Sequence, residues 1–379
     1  MGHLIKIIIK FFLAEKFFFI PKKTKIMILD NISQEMFKTQ FNKFNFSILS
    51  IRHEKINIYV LFLLFIKLKK INIINYVIEY IHLSDPKIII TFNHNLLLFY
   101  NLKSFFPKKK FIAIQNGQQV KLNFDYLKNK KDIKTDYFLS FGKRISQEYM
   151  KHFKWKFIEL GSIRNNFIKK KKILKLKKFI LFISSGYQSR ENLKYHKISQ
   201  KKITKKKKFF EKEKIILNNL HKYCKKNGLK LEILEKFYHK DNLEYKYYKK
   251  ILREKKFFYH KKNKKRNLLA YEISDKVLVT FSTLSTLGLE LISRGNRVGI
   301  CNYRQSINKI LDIFWPLKIR ARGKFWTNRY DYKEIKRILD FSIKCNKKNW
   351  DKQSSFVKIN LMTFNPQNTK LISLLNKIY

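Results

Sequence analysis

Short, nearly continuous apolar runs alternate along this chain with longer stretches whose apolar residues recur at three- and four-residue spacing. The short runs are KIMILD (Lys25–Asp30), FSILSI (Phe46–Ile51), KIIITF (Lys87–Phe92), FIAIQ (Phe111–Gln115), DYFLSF (Asp136–Phe141) and KFIEL (Lys156–Leu160). Strands of a parallel sheet covered on both faces have this look, because neither side of the pleat meets water. The stretches between them are mostly long enough for crossover helices, so a doubly wound α/β domain is expected. IKKKKILKLKK (Ile168–Lys178) then breaks the rhythm and reads as a linker. A second series follows: FILFIS (Phe179–Ser184), LKLEIL (Leu229–Leu234), KFFYH (Lys256–His260), KVLVTF (Lys276–Phe281) and RVGICN (Arg297–Asn302). The lysine-rich stretch Gln188–Lys208 reads as a loop, and the tail from Tyr332 as helices.

The fold class expected is therefore α/β, with two tandem Rossmann-like, doubly wound parallel-sheet domains. The divisions are an N-terminal amphipathic helical segment (1–24), a first domain (25–167), a linker (168–178), a second domain (179–331) and C-terminal helices (332–379). The first segment is apolar and basic like a signal peptide, but Lys6, Lys10, Glu15 and Lys16 interrupt it and no small-residue cleavage site follows. A helix docked on the protein is favoured over one resting on a membrane. YVLFLLFIKLKK is too short to span a bilayer and reads as a buried helix.

Composition changes the picture in one respect. The 379 residues hold 84 Lys+Arg against 27 Asp+Glu, a net charge of +57. That balance suits an anionic partner: nucleic acid, an anionic membrane face or a phosphorylated substrate. The abundance of Lys, Asn, Ile and Phe is also the signature of an AT-rich genome, which would place much of the charge on solvated faces. The apolar content of 45% supports sizeable cores. Cys224, Cys301 and Cys345 stand alone, without the spacing of a metal site or a disulfide framework, so a reducing cytoplasm and no metal are expected.

Ligands of open α/β sheets bind beyond the carboxyl ends of the strands. Those ends carry Asp30-Asn31, Arg52-His53-Glu54, Asn93-His94-Asn95, Gln115-Asn116-Gly117 and Gly142-Lys143-Arg144, then Ser184-Ser185-Gly186 and Ser282-Thr283. Polar residues gathered at successive strand ends suggest one cleft edge. The most informative stretch is VLVTFSTLSTLGLELISRGNRVGI (Val277–Ile300). A strand breaks into hydroxyls, Ser282, Thr283 or Ser285 caps a helix, and Gly295 ends it. Leu284, Leu287, Gly288 and Leu291 share the face expected against the sheet, while Thr283, Thr286, Glu290 and Arg294 share another. A helix N-terminus lined with hydroxyls suits a phosphate or diphosphate, and Glu290 lies where a carboxylate would accept hydrogen bonds from a ribose diol. A well-capped helix with one solvated stripe is the alternative. There is no GxxxxGK[ST] and no GxGxxG.

KIMILD, SIRHEKINIYVL, TFNHNLLLFYNL, FIAIQNGQQ, DYFLSFGK, IELGSIRNNF, LLAYEISDKVLVTFSTLSTLGLELISRGNRVGI and FWPLKIRARGKFWTN together resemble the bacterial surface carbohydrate biosynthesis proteins, in the order expected and over roughly Lys25–Asn328. Their architecture is like that of GT-B glycosyltransferases, and the Val277–Ile300 element is similar to the donor site of CDP-glycerol glycerophosphotransferases. The resemblance implies an enzyme of surface polysaccharide or lipopolysaccharide synthesis that transfers a sugar or related group from a nucleotide diphosphate donor. It matches Ser282, Thr283, Ser285 and Thr286 to the phosphate turn and Glu290 to the ribose carboxylate. It matches Arg52, Glu54 and Asn57 to an RxExxN pattern, and Asn95, Gln115, Asn116 and Gly117 to acceptor-side loops of the first domain. Ser184, Gly186, Arg190 and Arg294 complete the expected donor side. Where the pattern calls for IDN this chain has Asn93-His94-Asn95, and where many relatives carry His-Gly it has Asn116-Gly117.

An inverting transferase needs a base near the acceptor hydroxyl and positive charge at the leaving diphosphate. The base candidates are Asp30, Glu54 and His94, and the cations Arg190, Arg294 and Arg304, although a structural ion pair or a loop hydrogen bond is the commoner fate of each type. No cofactor or metal beyond the nucleotide-sugar substrate is expected. The acceptor would be a carbohydrate or lipid-linked, and the protein cytoplasmic, with peripheral contact to an anionic inner membrane face. A nucleotide-sugar 2-epimerase is a second enzymatic reading, disfavoured by the sparse acids at the strand ends. A non-catalytic nucleotide-sugar binder is a third. KFFYHKKNKK interleaves aromatics with lysine as a single-strand binder does, yet no RRM, KH or helix-turn-helix pattern appears, so no specific nucleic acid is expected.

Overall fold

The computed structural model describes the chain except residues 1–11, 31–33, 52–54, 118–120, 131–132, 171–175, 187–199, 237–241, 254–255, 262–267, 284 and 303–321. It divides into two compact units. The first comprises Met1–Asn116, Asn123–Ile163 and Gln367–Tyr379, and the second Gly117–Leu122 and Arg164–Pro366.

The first unit is built on a six-stranded sheet. Its strands are β2 (Ile26–Leu29), β3 (Phe46–Leu49), β5 (Ile88–Thr91), β6 (Lys110–Ile114), β7 (Tyr137–Ser140) and β8 (Lys156–Glu159). Every pairing is parallel, in the order β3-β2-β5-β6-β7-β8. β2 and β5 are buried at every position, which is why they read as unbroken apolar runs.

The second unit repeats the plan with β9 (Lys177–Ile183), β10 (Lys230–Leu234), β11 (Phe258–His260), β12 (Val277–Ser282), β13 (Val298–Cys301) and β14 (Trp326–Thr327), in the order β11-β10-β9-β12-β13-β14. These pairings too are parallel. Alternate residues of β9 face opposite layers, as the two-residue period of a strand requires. Ile180 and Phe182 join Ile216, Leu217 and Leu220 of the Gln200–Lys226 helix and Ile335, Ile338 and Leu339 of the Tyr332–Lys344 helix. Leu181 faces the other way, toward Ala270, Ile273 and Leu287. Each unit thus has the α/β parallel-sheet plan that the pattern of apolar runs calls for.

Three expectations need correction. Within segment 1–24, Glu15–Phe17 is not helical but a strand, β1, pairing in parallel with β4 (Lys55–Asn57). Backbone pairing to a neighbour far along the chain decided this, and no local period reports it. YVLFLLFIKLKK does form a helix (Ile58–Ile66), but only Val60 and Leu64 are buried, so it is a surface helix. Gln200–Lys208 begins a 27-residue helix rather than continuing a loop. Its later turns bury Ile216, Leu217, Leu220, Tyr223 and Cys224 at helical spacing, and the lysines ahead of them extend the same helix. The tail is helical as expected, and its Thr369–Ile378 helix belongs to the first unit. There Asn368 donates to Gln40 Oε1 (2.9 Å) and the Ile163 carbonyl (3.0 Å), and Tyr379 lies edge-on to Phe44 at 5.3 Å.

Candidate functional site

The strand order of the second sheet sets the place. The chain enters at β9, winds outward to β11, then crosses to β12 on the other side of β9. The helix Gln200–Lys226 after β9 covers one face, and the helix Thr286–Ser293 after β12 covers the other, through Leu287. Connections leaving adjacent strands for opposite faces open a crevice at the carboxyl ends. Ser282 pairs with Ile183 across β12 and β9, so both strands finish level and their turns meet.

Hydrogen bonds between hydroxyls hold these turns. Ser185 Oγ lies 2.7 Å from Thr283 Oγ1, bridging the Ser184–Gly186 turn to the Ser282–Ser285 turn. Gly186 takes φ +81°, a left-handed conformation suited to glycine, and its N–H donates to Ser184 Oγ at 2.9 Å. Lys236 donates from Nζ to the Ser185 carbonyl at 3.4 Å. In the second turn Ser282 Oγ accepts the Ser285 N–H at 3.0 Å. Ser285 is the helix cap, accepting the Gly288 N–H at 3.1 Å. Thr286 opens the helix. A Cβ on Gly288 would stand 2.8 Å from Ser282 Oγ, so only glycine lets the helix start this close to the strand end.

Glu290 is buried, and its Oε2 accepts the Tyr271 hydroxyl at 2.8 Å. Burial, and then the Glu290 charge, hold the Tyr271 phenol protonated far beyond its ordinary range. The carboxylate is therefore oriented from beneath by a donor that pattern reading missed.

Arg294 needs correction as a donor-side cation. It is the C-cap of this helix, the end opposite the phosphate-type turn. Its guanidinium is fully buried, 3.0 Å from Asp275 Oδ2, with Nη1 on both oxygens of Asn165 and a ring contact to Tyr271. A charge taken out of water is kept by its partner, and Asp275 claims this one. Arg190 and Arg304 lie outside the described residues.

Behind the first turn lies a cluster the sequence reading passed over. Glu213, Glu235 and Glu244 are all buried, and the Tyr248 hydroxyl stands 2.8 Å from Ser184 Oγ and 2.9 Å from Glu213 Oε1. Burial pushes the Glu244 carboxyl up to about 7; hydrogen bonds from Ser184 and Lys236 oppose the shift, and the charges of Glu235 and Glu213 add to it. One signal was available: Glu213, Leu217, Leu220 and Cys224 share a helical stripe, so a carboxylate falls on an apolar face. Among the described residues no group of three or more His, Cys, Asp or Glu side chains is placed to hold a metal ion.

The first unit's candidates divide. Asp30 sits at the end of β2 in a left-handed conformation (φ +85°), with its carboxyl buried. β2 and β5 flank the reversal point of that sheet. Asn95 and Asn116 are half-buried beyond β5 and β6, whereas Gly117, expected on the first domain, falls in the second unit, with open space where a Cβ would stand. His94 is packed inside the unit. It is buried, edge-on to Phe138, and its Nδ1 faces the Asn116 N–H at 3.4 Å. Gln115 and Asn57 each hold local backbone. Gln115 Oε1 accepts the Phe141 N–H at 2.8 Å. Asn57 caps the Ile58–Ile66 helix and donates to the Phe19 carbonyl. Arg52 and Glu54 lie outside the described residues.

A family model described as "putative O-antigen biosynthesis protein" matches residues 112–379, well over half of the chain. The chain belongs to this O-antigen biosynthesis protein family. No curated protein sequence matches it. Among solved structures, the UDP-GlcNAc 2-epimerase of Neisseria meningitidis bound to UDP-GlcNAc is similar, with a TM-score of 0.57 and 12% identity over 93% of this chain and 99% of that one. MnaA of S. aureus with UDP gives 0.55 and 12%, over 93% and 96%. The wall teichoic acid polymerase TagF soaked with CDPG gives 0.54 and 11%, over 94% and 88%. At such identities the likeness is one of fold, and it agrees with two parallel-sheet units of this plan.

Proposed function

We propose that this O-antigen family member is a nucleotide-diphosphate-dependent transferase of surface polysaccharide assembly, binding its donor on the second unit. The observation that carries the reading is the Ser185–Thr283 hydroxyl bridge at the switch point of β9 and β12, directly ahead of a capped helix N-terminus. A diphosphate there meets the positive end of a helix dipole, the hydroxyls of Ser184, Ser285 and Thr286, and Lys236 at the first turn. In this reading Glu290 takes the ribose diol, with Tyr271 holding its rotamer, and no metal is required. Similar folds have been captured with UDP, UDP-GlcNAc and CDPG, which supports a nucleotide-linked donor. The base is Asp30 or Glu54, and the acceptor is a carbohydrate of the lipopolysaccharide class, free or lipid-linked. Work on a lipid-linked acceptor would place the enzyme at the inner face of the cell membrane. Among the described residues no helix is long and apolar enough to cross one, and in this reading the contact is peripheral.

The buried Glu213, Glu235 and Glu244 cluster removes the objection that acids are scarce near this site, and it keeps the 2-epimerase as a second reading. The two diverge in one assay. Epimerised nucleotide-sugar or free sugar appearing without any acceptor supports the epimerase, whereas acceptor-dependent release of nucleotide supports the transferase.

The donor site is tested by thermal shift against UDP, GDP, CDP and CMP ligands, with Glu290→Ala beside the parent. Ligand at ~100 times its dissociation constant adds roughly 2.7 kcal/mol of stability. A shift with one base, lost in Glu290→Ala, is expected. Equal shifts with every nucleotide and with heparin, unchanged in the variant, would show only the basic surface at work.

A further inference from the structure

Among its described residues the first unit carries an exposed apolar surface. β1 pairs with β4, and the Ile58–Ile66 helix follows β4 without a break. Asn57 joins the pieces, capping that helix and donating at 2.8 Å to the Phe19 carbonyl. Phe17 and Phe19 stack at 4.7 Å. Around this framework Phe18 is 74% exposed, Phe65 69% and Leu68 93%, with Phe19, Phe62 and Ile71 more than half exposed. Of the 20 exposed large apolar side chains among the described residues, 12 fall within residues 12–20 and 62–74. Isolated exposed apolar residues are ordinary on a protein surface; a concentration of this kind marks an interaction site.

The chemistry of the surface selects its occupant. Residues 12–20 and 58–74 contain one acid, Glu15, and it is held by Lys55 at 2.8 Å. Lys16, Lys67, Lys69 and Lys70 border the apolar groups, and Lys22 and Lys23 follow them. Lys67 and Lys69 also brace the buried Glu79, which fixes these cations beside the exposed end of the helix. A second copy would bring +57 against +57, and that repulsion opposes self-association. An anionic bilayer reverses the sign and receives protruding side chains without needing a complementary shape. The Ile58–Ile66 helix has nine residues, a length of about 13.5 Å, against a hydrocarbon core of about 30 Å. Such a helix lies in the interface and does not span it.

We infer that this surface inserts into the outer layer of an anionic membrane, with its aromatic side chains below the headgroups and its lysines at phosphate level. The inference deepens the peripheral-membrane part of the function proposed above, on which it rests, and is independent of the donor site.

The test uses the full chain and vesicles of phosphatidylcholine, with or without phosphatidylglycerol. Phe65→Trp places an indole on the surface, and Ile359→Trp places one on an exposed site of the second unit as a control. The expected result is binding that needs phosphatidylglycerol, survives in part at high salt, and brings a blue shift and quenching by brominated lipid for Phe65→Trp alone. The triple variant Phe62→Ser, Phe65→Ser, Leu68→Ser should lose about a hundredfold or more in partitioning, since an inserted side chain of this size is worth about tenfold. Its melting temperature and nucleotide response should stay at parent values. Binding abolished by salt, with no quenching and no effect of the triple variant, would mean docking by charge alone; the surface would then be wrong while the peripheral reading stood. No binding to any vesicle would defeat both. A concentration-dependent dimer that the triple variant dissolves, without lipid quenching, would make the occupant a second copy and overturn the inference.

Discussion

Gly288→Ala is the most informative single change, because two opposing effects of known size meet at that position. In a helix interior alanine is favoured over glycine by about 0.8–1.0 kcal/mol. Here, however, the new Cβ would lie 2.8 Å from Ser282 Oγ and 2.9 Å from Ser282 Cβ, where ordinary contact begins at 3.4 Å. The first contact alone requires a retreat of 3.4 − 2.8 = 0.6 Å by the helix or the turn. Forcing an extra methyl into a packed site costs about 1–3 kcal/mol, so the net change should be a destabilisation of about 0–2 kcal/mol. The same retreat stretches the Ser285 N–H to Ser282 Oγ and Gly288 N–H to Ser285 Oγ bonds, which shape the proposed phosphate turn. Nucleotide affinity should therefore fall about tenfold, or about 1.4 kcal/mol. Urea unfolding and titration calorimetry measure the two quantities. Ser282→Gly removes both clashing atoms, so the double variant should lose less than the sum of the singles. A Gly288→Ala protein about 1 kcal/mol more stable than the parent, with affinity intact, would refute this picture of the turn.

Other outcomes separate structural from functional roles. Arg294→Met should destabilise the fold by about 3–5 kcal/mol by leaving Asp275 buried without its partner, and Asp275→Leu in the same chain should recover much of that loss. Nucleotide affinity measured below the melting transition should not change, and a large selective loss of affinity would restore Arg294 to the donor site. Glu244 titrates at about 7 when folded against an ordinary 4.5, so the folded form holds the proton more tightly. Its stabilising contribution is complete below about pH 4.5 and is lost as pH rises through 7, on the order of 3 kcal/mol in all. Glu244→Gln should flatten that part of the stability profile and exceed the parent in stability above pH 7; parallel profiles for the two proteins would refute the assignment.

What the sequence determined by itself was the layered plan. Each apolar run read as a strand is one, because a buried parallel strand must be apolar on both faces and that constraint is local. The helix after β12, a hydroxyl cap among Ser282, Thr283 and Ser285, its Gly295 exit and the sheet-facing Gly288 were legible for the same reason: caps and faces are set by neighbours within a few residues, and the structure chose Ser285. The tertiary structure decided everything that depended on residues far apart. Whether Arg294 faces a ligand or an internal carboxylate depends on Asp275, 19 residues earlier, and on Asn165, 129 residues earlier. The pairing of β1 with β4, the hold of Tyr271 on Glu290 and the meeting of Glu213, Glu235 and Glu244 are likewise contacts that leave no periodic trace. The Ile58–Ile66 helix shows the limit most plainly: its residues are those of a core, and only the lack of an element packed over Phe62 and Phe65 among the described residues makes it a surface. Hydrophobicity tells a residue to leave water, but the chain's path through space determines what is there to receive it.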